Sequence, residues 1–256
     1  MKVMWHGTAT IEITDGDKRI LFDPFVRQNR HLKSTPLEGF CGADAVFITH
    51  GHFDHLFDTP ALTRADKNVT VYCTKTPAGT LGKKGVPADR VSVIKPGDKI
   101  SIGDFNITVY QGKHVVFDFG YIMSVFAKCT VFFPILFKQV YYHSQFSENN
   151  EIVIYEIENN GKRVLLMGSY GTADGVKYPD APDMFVLENG GCVKIPKLAE
   201  PFIDEIKPKK VFIDHFDNAF PPLTRLINVK KGFRHIIERH PDIEFIVPTE
   251  CEPVEV

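Results

Sequence analysis

One seven-residue stretch constrains this chain more than any other: Thr49-His50-Gly51-His52-Phe53-Asp54-His55. It holds three histidines and an aspartate, and the apolar run Ala45-Val46-Phe47-Ile48 precedes it directly. Such a run is typical of a buried strand. Neutral imidazole and carboxylate are ligands that zinc accepts, whereas a protein core has no use for four of them at a strand end. The stretch therefore predicts a divalent-metal site in a loop after a buried strand, and a chance cluster in a polar loop is the alternative.

The order His-x-His-x-Asp-His after such a strand resembles the signature of the metallo-β-lactamase superfamily. This resemblance implies an α/β (α+β) fold, a four-layer αββα sandwich. In it two β-sheets lie face to face, helices cover the outside and the metals bind at one edge. In that family the first two motif histidines and a later histidine hold one metal. By resemblance these are His50, His52 and His114. His143 is a rival for the place of His114, although it lies in an aromatic segment rather than after a strand.

The resemblance also implies ligands for a second metal. Asp54 and His55 of the motif are joined there by a histidine near the C-terminal end, here His215. Its surroundings, Ile213-Asp214-His215-Phe216-Asp217, resemble a motif of the ascorbate-phosphate lactonase-like branch. The patterns Trp5-His6-Gly7-Thr8-Ala9 and Leu21-Phe22-Asp23-Pro24 resemble that lactonase-like branch and the N-acylphosphatidylethanolamine phospholipase D-like branch.

One position departs from the family pattern. Most members bridge the two metals with an aspartate in a Gly-Asp-Thr-Gly-like loop, but the matching stretch here places Ser169 there, and Asp174 is expected beyond the turn. A neutral hydroxyl is a poor bridge, so one ion or two remains open. Asp23 resembles a recurrent aspartate near the site and is expected to orient a ligand imidazole. A plain strand-ending Asp-Pro turn is its alternative.

The expected activity is hydrolysis. Zinc is the default metal for these ligands, and manganese or iron would also fit. A bound ion lowers the pKa of its water to about 7, and with a single ion Asp54 is free to act as general base. The bond cleaved is an ester, lactone, amide or phosphodiester. The alternatives are a nuclease or phosphodiesterase of the same fold and a metal-binding scaffold that has lost activity.

Composition narrows the setting. The length of 256 residues allows a single domain over residues 1–256. A net charge of −2 does not favour a nucleic-acid partner, which leaves a small-molecule substrate. Five widely spaced cysteines favour reduced thiols over a disulfide framework. No signal-peptide core follows Met1, so a cytoplasmic location is expected.

An aromatic-rich insertion at about 115–147 follows His114 directly, so one end of it is expected at the metal site. It is interpreted as an apolar lid, which implies a substrate with an apolar part, or as a homo-oligomer interface. Packing in the core and contact with a membrane surface are alternatives, and the last is not favoured.

Hydrophobic alternation and turn residues predict the secondary structure. Strands are predicted at 9–14, 19–22, 69–72, 91–94, 105–110, 151–157, 163–167, 184–187, 211–213 and 245–247. Helices are predicted at 61–66, 76–85, 197–206 and 230–239. Two short segments also recur in order, since Lys18-Arg19-Ile20-Leu21 resembles Lys162-Arg163-Val164-Leu165 and Val46–His50 resembles Val211–His215. They suggest two similar halves that each offer a strand-end histidine.

Overall fold

The structure, a computed structural model, describes residues 1–27, 29, 32, 34–115, 123, 137, 140–142, 144–190, 194–221 and 224–256. Its strands, in chain order, are Lys2–Trp5 (β1), Ile11–Asp15 (β2), Lys18–Phe22 (β3), Ala45–Phe47 (β4), Thr70–Cys73 (β5), Val91–Val93 (β6), Lys99–Ile102 (β7), Phe105–Gln111 (β8), Val153–Asn159 (β9), Lys162–Met167 (β10), Met184–Glu188 (β11), Lys210–Asp214 (β12), Glu244–Ile246 (β13) and Val254–Glu255 (β14). The helices are Phe53–Leu56 (α1), Thr59–Ala65 (α2), Lys75–Lys83 (α3), Ile195–Ile206 (α4), Val229–Gly232 (α5) and Arg234–Arg239 (α6), with 3-10 turns at Leu37–Phe40 and Ala88–Arg90.

The strands form two seven-stranded sheets of similar plan. The first sheet has the order β14-β1-β2-β3-β4-β5-β6 and the second β13-β12-β11-β10-β9-β8-β7. Each contains an antiparallel hairpin, β2-β3 or β9-β10, whose second strand begins a run of four mutually parallel neighbours. The carboxyl ends of parallel strands lie at the same edge of a sheet, so the residues that follow them gather there.

The suggested sequence repeat matches this plan only in part. The Lys-Arg segments lie on β3 and β10, which occupy corresponding places in the two sheets. The histidine segments lie on β4, next to β3, and on β12, which is separated from β10 by β11. The place corresponding to β4 is therefore that of β11, and this strand ends in Glu188 rather than in a histidine.

Alternating side chains place the two sheets face to face. On β3, Ile20 and Phe22 belong to the large core that also contains Phe105 of the second sheet, while Leu21 belongs to a second apolar cluster. Since successive side chains of a strand point to opposite faces, that second cluster covers the outer face of the first sheet. Residues of α1, α2 and α3 complete it, and those of α4 pack with the second sheet. This arrangement is the expected four-layer αββα sandwich.

The observed elements differ from the predicted ones at several places. The sequence predictions missed the strands β1, β7 and β14. The helix predicted over 230–239 is divided, because Gly232 ends α5 and the buried Phe233 separates it from α6. Asp58 precedes α2 as expected, but its carboxylate accepts a hydrogen bond from the backbone N–H of Val26 instead of capping the helix.

Candidate metal centre

The predicted metal ligands meet where the parallel strands of both sheets end. His50 follows β4, and α1 carries Asp54 and His55 directly after it. His114 comes three residues after β8, and His215 immediately follows β12. The strand ends thus bring together residues that are up to 165 positions apart in the sequence.

The first group contains His50, His52, His114 and one residue that the sequence analysis missed, Glu148. Each offers one ligand atom, and these atoms all lie within 4.8 Å of one another. Nε2 of His50 and Nδ1 of His52 are 3.1 Å apart. A carboxylate oxygen of Glu148 lies 3.6 Å from Nε2 of His52 and 3.8 Å from Nε2 of His114. Three imidazoles and a carboxylate at these separations suit one divalent ion.

The second group consists of Asp54, His55 and His215, whose ligand atoms also lie within 4.8 Å of one another. Nε2 of His215 is 3.3 Å from Oδ2 of Asp54, and Nε2 of His55 is 4.0 Å from Oδ1. The rings of His50 and His55 have centroids 3.9 Å apart, so the two groups adjoin. The structure therefore gathers all six predicted ligands into two neighbouring groups, and their binding of metal remains a prediction.

The backbone around the second group is strained. His215, Thr8 and Asp23 all adopt positive φ angles, of 50°, 51° and 48°. Non-glycine residues rarely adopt this conformation, and such strain is concentrated at functional sites. The backbone N–H of His215 donates to the carbonyl of Thr8 over 2.9 Å, which ties the histidine to the loop after β1. The surrounding fold thus fixes the direction of the His215 side chain.

Asp23 contacts two residues of the histidine motif, Thr49 and His55. Its Oδ1 accepts a hydrogen bond from the backbone N–H of Thr49, and its Oδ2 lies 2.8 Å from Nδ1 of His55. Because that nitrogen faces Asp23, Nε2 of His55 is left for the second group. This contact matches the expected position of Asp23, and its role in orienting a metal ligand stays a prediction.

Charge and burial shift the pKa values of this site in opposite directions. Burial, followed by the charges of the neighbouring histidines, lowers the pKa of His50 well below its usual value. Burial also opposes ionisation of His215, but the hydrogen bond to Asp54 and the charges of Glu188 and Asp54 outweigh it and raise its pKa to about 10. Burial likewise disfavours the Asp54 carboxylate, yet His55 and His215 reverse that effect and lower its pKa. The carboxylate of Asp54 and the imidazoles of His55 and His215 therefore favour opposite charges within the second group.

Ser169 does not replace the family's bridging carboxylate. Its side chain is buried, and its hydroxyl accepts a hydrogen bond from the backbone N–H of Val115 over 3.2 Å. Asp174 cannot compensate, because its side chain is fully exposed and pairs with Lys113. Ser169 thus secures the loop that carries His114.

Two glutamates beside the site, Glu148 and Glu188, are not among the residues predicted from the sequence. Glu188 ends β11 between Ser169 and His215, and a carboxylate oxygen lies 4.0 Å from Nε2 of His215. Its signal was present, since a polar residue ended a predicted apolar strand in the same way as His50. Glu148 had none, because its place depends on the path of the segment before it.

The aromatic insertion at about 115–147 lies mostly outside the described residues, as does His143. Two of its described members contact α1 or the residue that follows it. Tyr142 stacks on Phe53, with ring centroids 5.7 Å apart, and Phe146 lies 5.9 Å from Phe57. Tyr141 is 61% exposed. The C-terminal end of the insertion therefore packs against the helix that carries Asp54 and His55.

The chemistry of the donors fits a divalent metal. Five imidazoles and two carboxylates converge, and an oxygen of Glu148 is buried without a hydrogen-bond partner among the described residues. A buried polar atom in that condition costs free energy, which a cation at this position would offset. Zinc, manganese and iron all accept such ligands.

Part of the chain matches a known family model and curated relatives. Residues 18–124 match the family model described as the beta-lactamase superfamily domain. The chain is 33% identical over 115 residues to a UPF0173 metal-dependent hydrolase of Rhizobium etli (strain CIAT 652). That match covers 44% of this chain and 48% of the relative, so the chain spans about half the length of the curated relatives it matches.

Solved structures share the fold over the whole chain. Igni18, a metallo hydrolase from the archaeon Ignicoccus hospitalis, has a TM-score of 0.66 at 19% identity and covers 99% of this chain and 97% of its own. Zn(2+)-bound PqqB from Methylobacterium extorquens has a TM-score of 0.60 at 14% identity, with full coverage of both chains. At these identities the likeness establishes the fold, and the expected architecture is confirmed.

Proposed function

We propose that this chain is a metal-dependent hydrolase of the metallo-β-lactamase superfamily that cleaves an ester, lactone or phosphodiester bond of a small molecule. The observation that carries the proposal is the convergence of two groups of ligand-capable side chains at one edge of the sandwich. The names of its relatives as metal-dependent hydrolases support it.

His50, His52 and His114 would hold one ion, with Glu148 beside them, and Asp54, His55 and His215 would hold another. We propose zinc for both, with manganese or iron as alternatives. When bound, such an ion lowers the pKa of a coordinated water to about 7 and polarises the bond under attack.

Asp54 was expected to be the general base if only one ion binds. Its pKa is lowered, and a general base works best when its pKa lies near the working pH. Its carboxylate is also engaged with His215 at 3.3 Å. Both observations favour Asp54 as a ligand over Asp54 as a base. We keep the base role only for a form in which the second group holds no ion.

The substrate is proposed to have an apolar part. The end of the aromatic insertion packs on α1, which carries Asp54 and His55, and Tyr141 in that end is 61% exposed, so apolar surface is available beside this helix. A homo-oligomer interface is the alternative use of this surface, and contact with a membrane surface is less favoured. No described helix is both long and apolar enough to cross a bilayer.

A nuclease is the less favoured enzyme. Glu148 and Glu188 add negative charge around the histidines, and negative charge at a site disfavours a polyanionic substrate. An inactive scaffold protein is disfavoured because both groups of predicted ligands are present, and only the bridging position, occupied by Ser169, departs from the family pattern.

A cytoplasmic location remains part of the proposal, supported by the unpaired thiols of Cys41, Cys73 and Cys251. Cys129 and Cys192 lie outside the described residues.

The test is hydrolysis by zinc-loaded protein of p-nitrophenyl esters of increasing chain length, acyl-homoserine lactones and bis(p-nitrophenyl) phosphate. We expect turnover of at least one class, its loss in the His50→Ala/His52→Ala double variant, and full activity in His235→Ala. His235 is a suitable control because it lies on α6 with its side chain 55% exposed. Equal activity of the double variant and the wild type would refute the metal mechanism.

A further inference from the structure

We propose that Glu188 supplies the metal-ligating carboxylate that Ser169 cannot supply, and so completes a second metal site together with Asp54, His55 and His215. This inference rests on the proposed metal-dependent function. It states which residues of this chain hold the second ion. In such a site the carboxylate comes from the end of β11, whereas the expected bridging aspartate would follow β10.

The position of Glu188 in the sheet brings it to the site. Parallel pairing of β10 and β11 aligns Leu166 with Val186, so Glu188 ends its strand beside the Gly168-Ser169 turn. On the other side Glu188 is aligned with Asp214, the residue before His215. Glu188 therefore lies on the strand between the expected bridging position and the last histidine. Its side chain is one methylene longer than that of aspartate, which extends its reach from the neighbouring strand.

The contacts of Glu188 point toward the second group. One carboxylate oxygen lies 4.0 Å from Nε2 of His215, the same nitrogen that is 3.3 Å from Asp54. Two atoms bound to one zinc ion at about 2.1 Å in tetrahedral geometry lie about 3.4 Å apart. A small shift of either side chain would thus allow both atoms to bind one ion.

Burial makes the carboxylate costly without a cation. Glu188 is 6% exposed, and its other oxygen has no hydrogen-bond partner within the described part of the chain. A buried carboxyl that lacks a hydrogen bond destabilises the fold unless a charge compensates it. A divalent ion next to His215 would provide that charge.

Gly190 leaves the space that this arrangement needs. A Cβ atom at position 190 would lie 2.5 Å from Nδ1 of His215 and 2.8 Å from the carboxylate oxygen of Glu188. Any larger residue would push these two side chains out of their present positions. The absence of a side chain at 190 therefore allows Glu188 and His215 to approach the same point.

Asp214 is the rival carboxylate and provides the matched control. It is buried, aligned with Glu188 across the two strands, and one of its oxygens also lacks a partner among the residues described. What distinguishes Glu188 is its carboxylate oxygen, which lies 4.0 Å from Nε2 of His215. Replacing each carboxylate by its amide separates the two candidates at nearly constant volume.

The experiment measures zinc per chain by elemental analysis and zinc affinity by competition with a chromogenic chelator. We expect two ions in the wild type and in Asp214→Asn. In Glu188→Gln we expect one tight ion and a second weakened by about 100-fold or more, beyond the 10–100-fold typical of residues that only orient a ligand. Adding Ser169→Asp to Glu188→Gln is expected to restore the second ion, because it returns a carboxylate to the bridging position.

Several outcomes would overturn the inference: a single ion in the wild type, two ions of unchanged affinity in Glu188→Gln, or loss of the second ion in Asp214→Asn alone. If Glu188→Gln does not fold, Glu188→Asp keeps the charge but shortens the reach, and it is expected to lose the second ion in the same way. A Glu188→Asp variant with the wild-type second-ion affinity would then contradict the inference. A wild type that binds two ions but cleaves none of the substrates defeats the proposed hydrolase and leaves the role of Glu188 standing.

Discussion

The carboxylate of Asp23 lies 2.8 Å from Nδ1 of His55, although 32 residues separate them in the sequence. The contact joins the end of β3 to the helix that follows β4, two strands that pair in parallel. It fixes which nitrogen of His55 faces the second group. The orientation of the His55 ring is thus determined by the sheet as well as by the motif.

Asp23→Asn is expected to weaken binding of the second zinc ion by about 10–100-fold, because outer partners of ligand histidines typically contribute that much. Asparagine tolerates the left-handed backbone at position 23, where φ is 48°, so the fold should persist. Chelator competition measures the affinity. Asp17→Asn, at an exposed turn between β2 and β3, is the control, and equal affinities in the two variants would contradict the orienting role.

Gly168→Ala is expected to destabilise the protein by about 3 kcal/mol, as overpacking of a tight core does. A Cβ atom there would lie 2.0 Å from Oγ1 of Thr49, next to His50. Urea denaturation measures the loss, and zinc affinity should fall with it. Gly82→Ala is the matched control, because it lies within α3 with open space around it. We expect that variant to gain about 0.5–1 kcal/mol, since alanine favours a helix interior.

Glu148→Gln is expected to weaken the first zinc ion about tenfold, because it removes a negative charge that lies within 3.8 Å of two ligand imidazoles. Titration of zinc into metal-free protein, in competition with a chelator, measures the change. Glu158→Gln, at an exposed position of β9, should leave both ions unaffected. An unchanged first-site affinity in Glu148→Gln would show that this glutamate only borders the site.

The sequence predicted the parts of the site that follow directly from strand ends. His50 and His215 each come after an apolar run, and a strand end leaves few directions for the next side chain. The contribution of Glu188 depends on which strands are neighbours, and pairing of β11 between β10 and β12 is a long-range property of the fold. Glu148 depends on the path of the chain from His114, where the aromatic insertion gives no usable periodicity. The local sequence therefore could not predict the positions of Glu188 and Glu148, which depend on long-range strand pairing and on the path of the insertion.

A last prediction concerns pH and is independent of metal. Burial raises the pKa of Asp58 to about 6, and the hydrogen bond from Val26 opposes this only in part. The folded state thus holds the proton more tightly than the unfolded state, whose aspartate has its ordinary pKa of about 3.9. The stability gained from this group is complete below about pH 4 and is lost as the pH rises to about 6.

Asp58→Asn should remove this loss while keeping an oxygen that can accept the hydrogen bond from Val26. A shift of about two pKa units corresponds to at most about 3 kcal/mol. The partial exposure of Asp58, and the loss of a favourable negative charge at the start of α2, reduce the net gain to about 1 kcal/mol at pH 8. Near pH 4 the variant and the wild type should be equally stable. Urea denaturation of both metal-free proteins at the two pH values measures the difference, with Asp104→Asn in the exposed turn between β7 and β8 as control. A gain that is the same at both pH values would mean that the asparagine acts through packing and that the Asp58 carboxyl is not strained by burial.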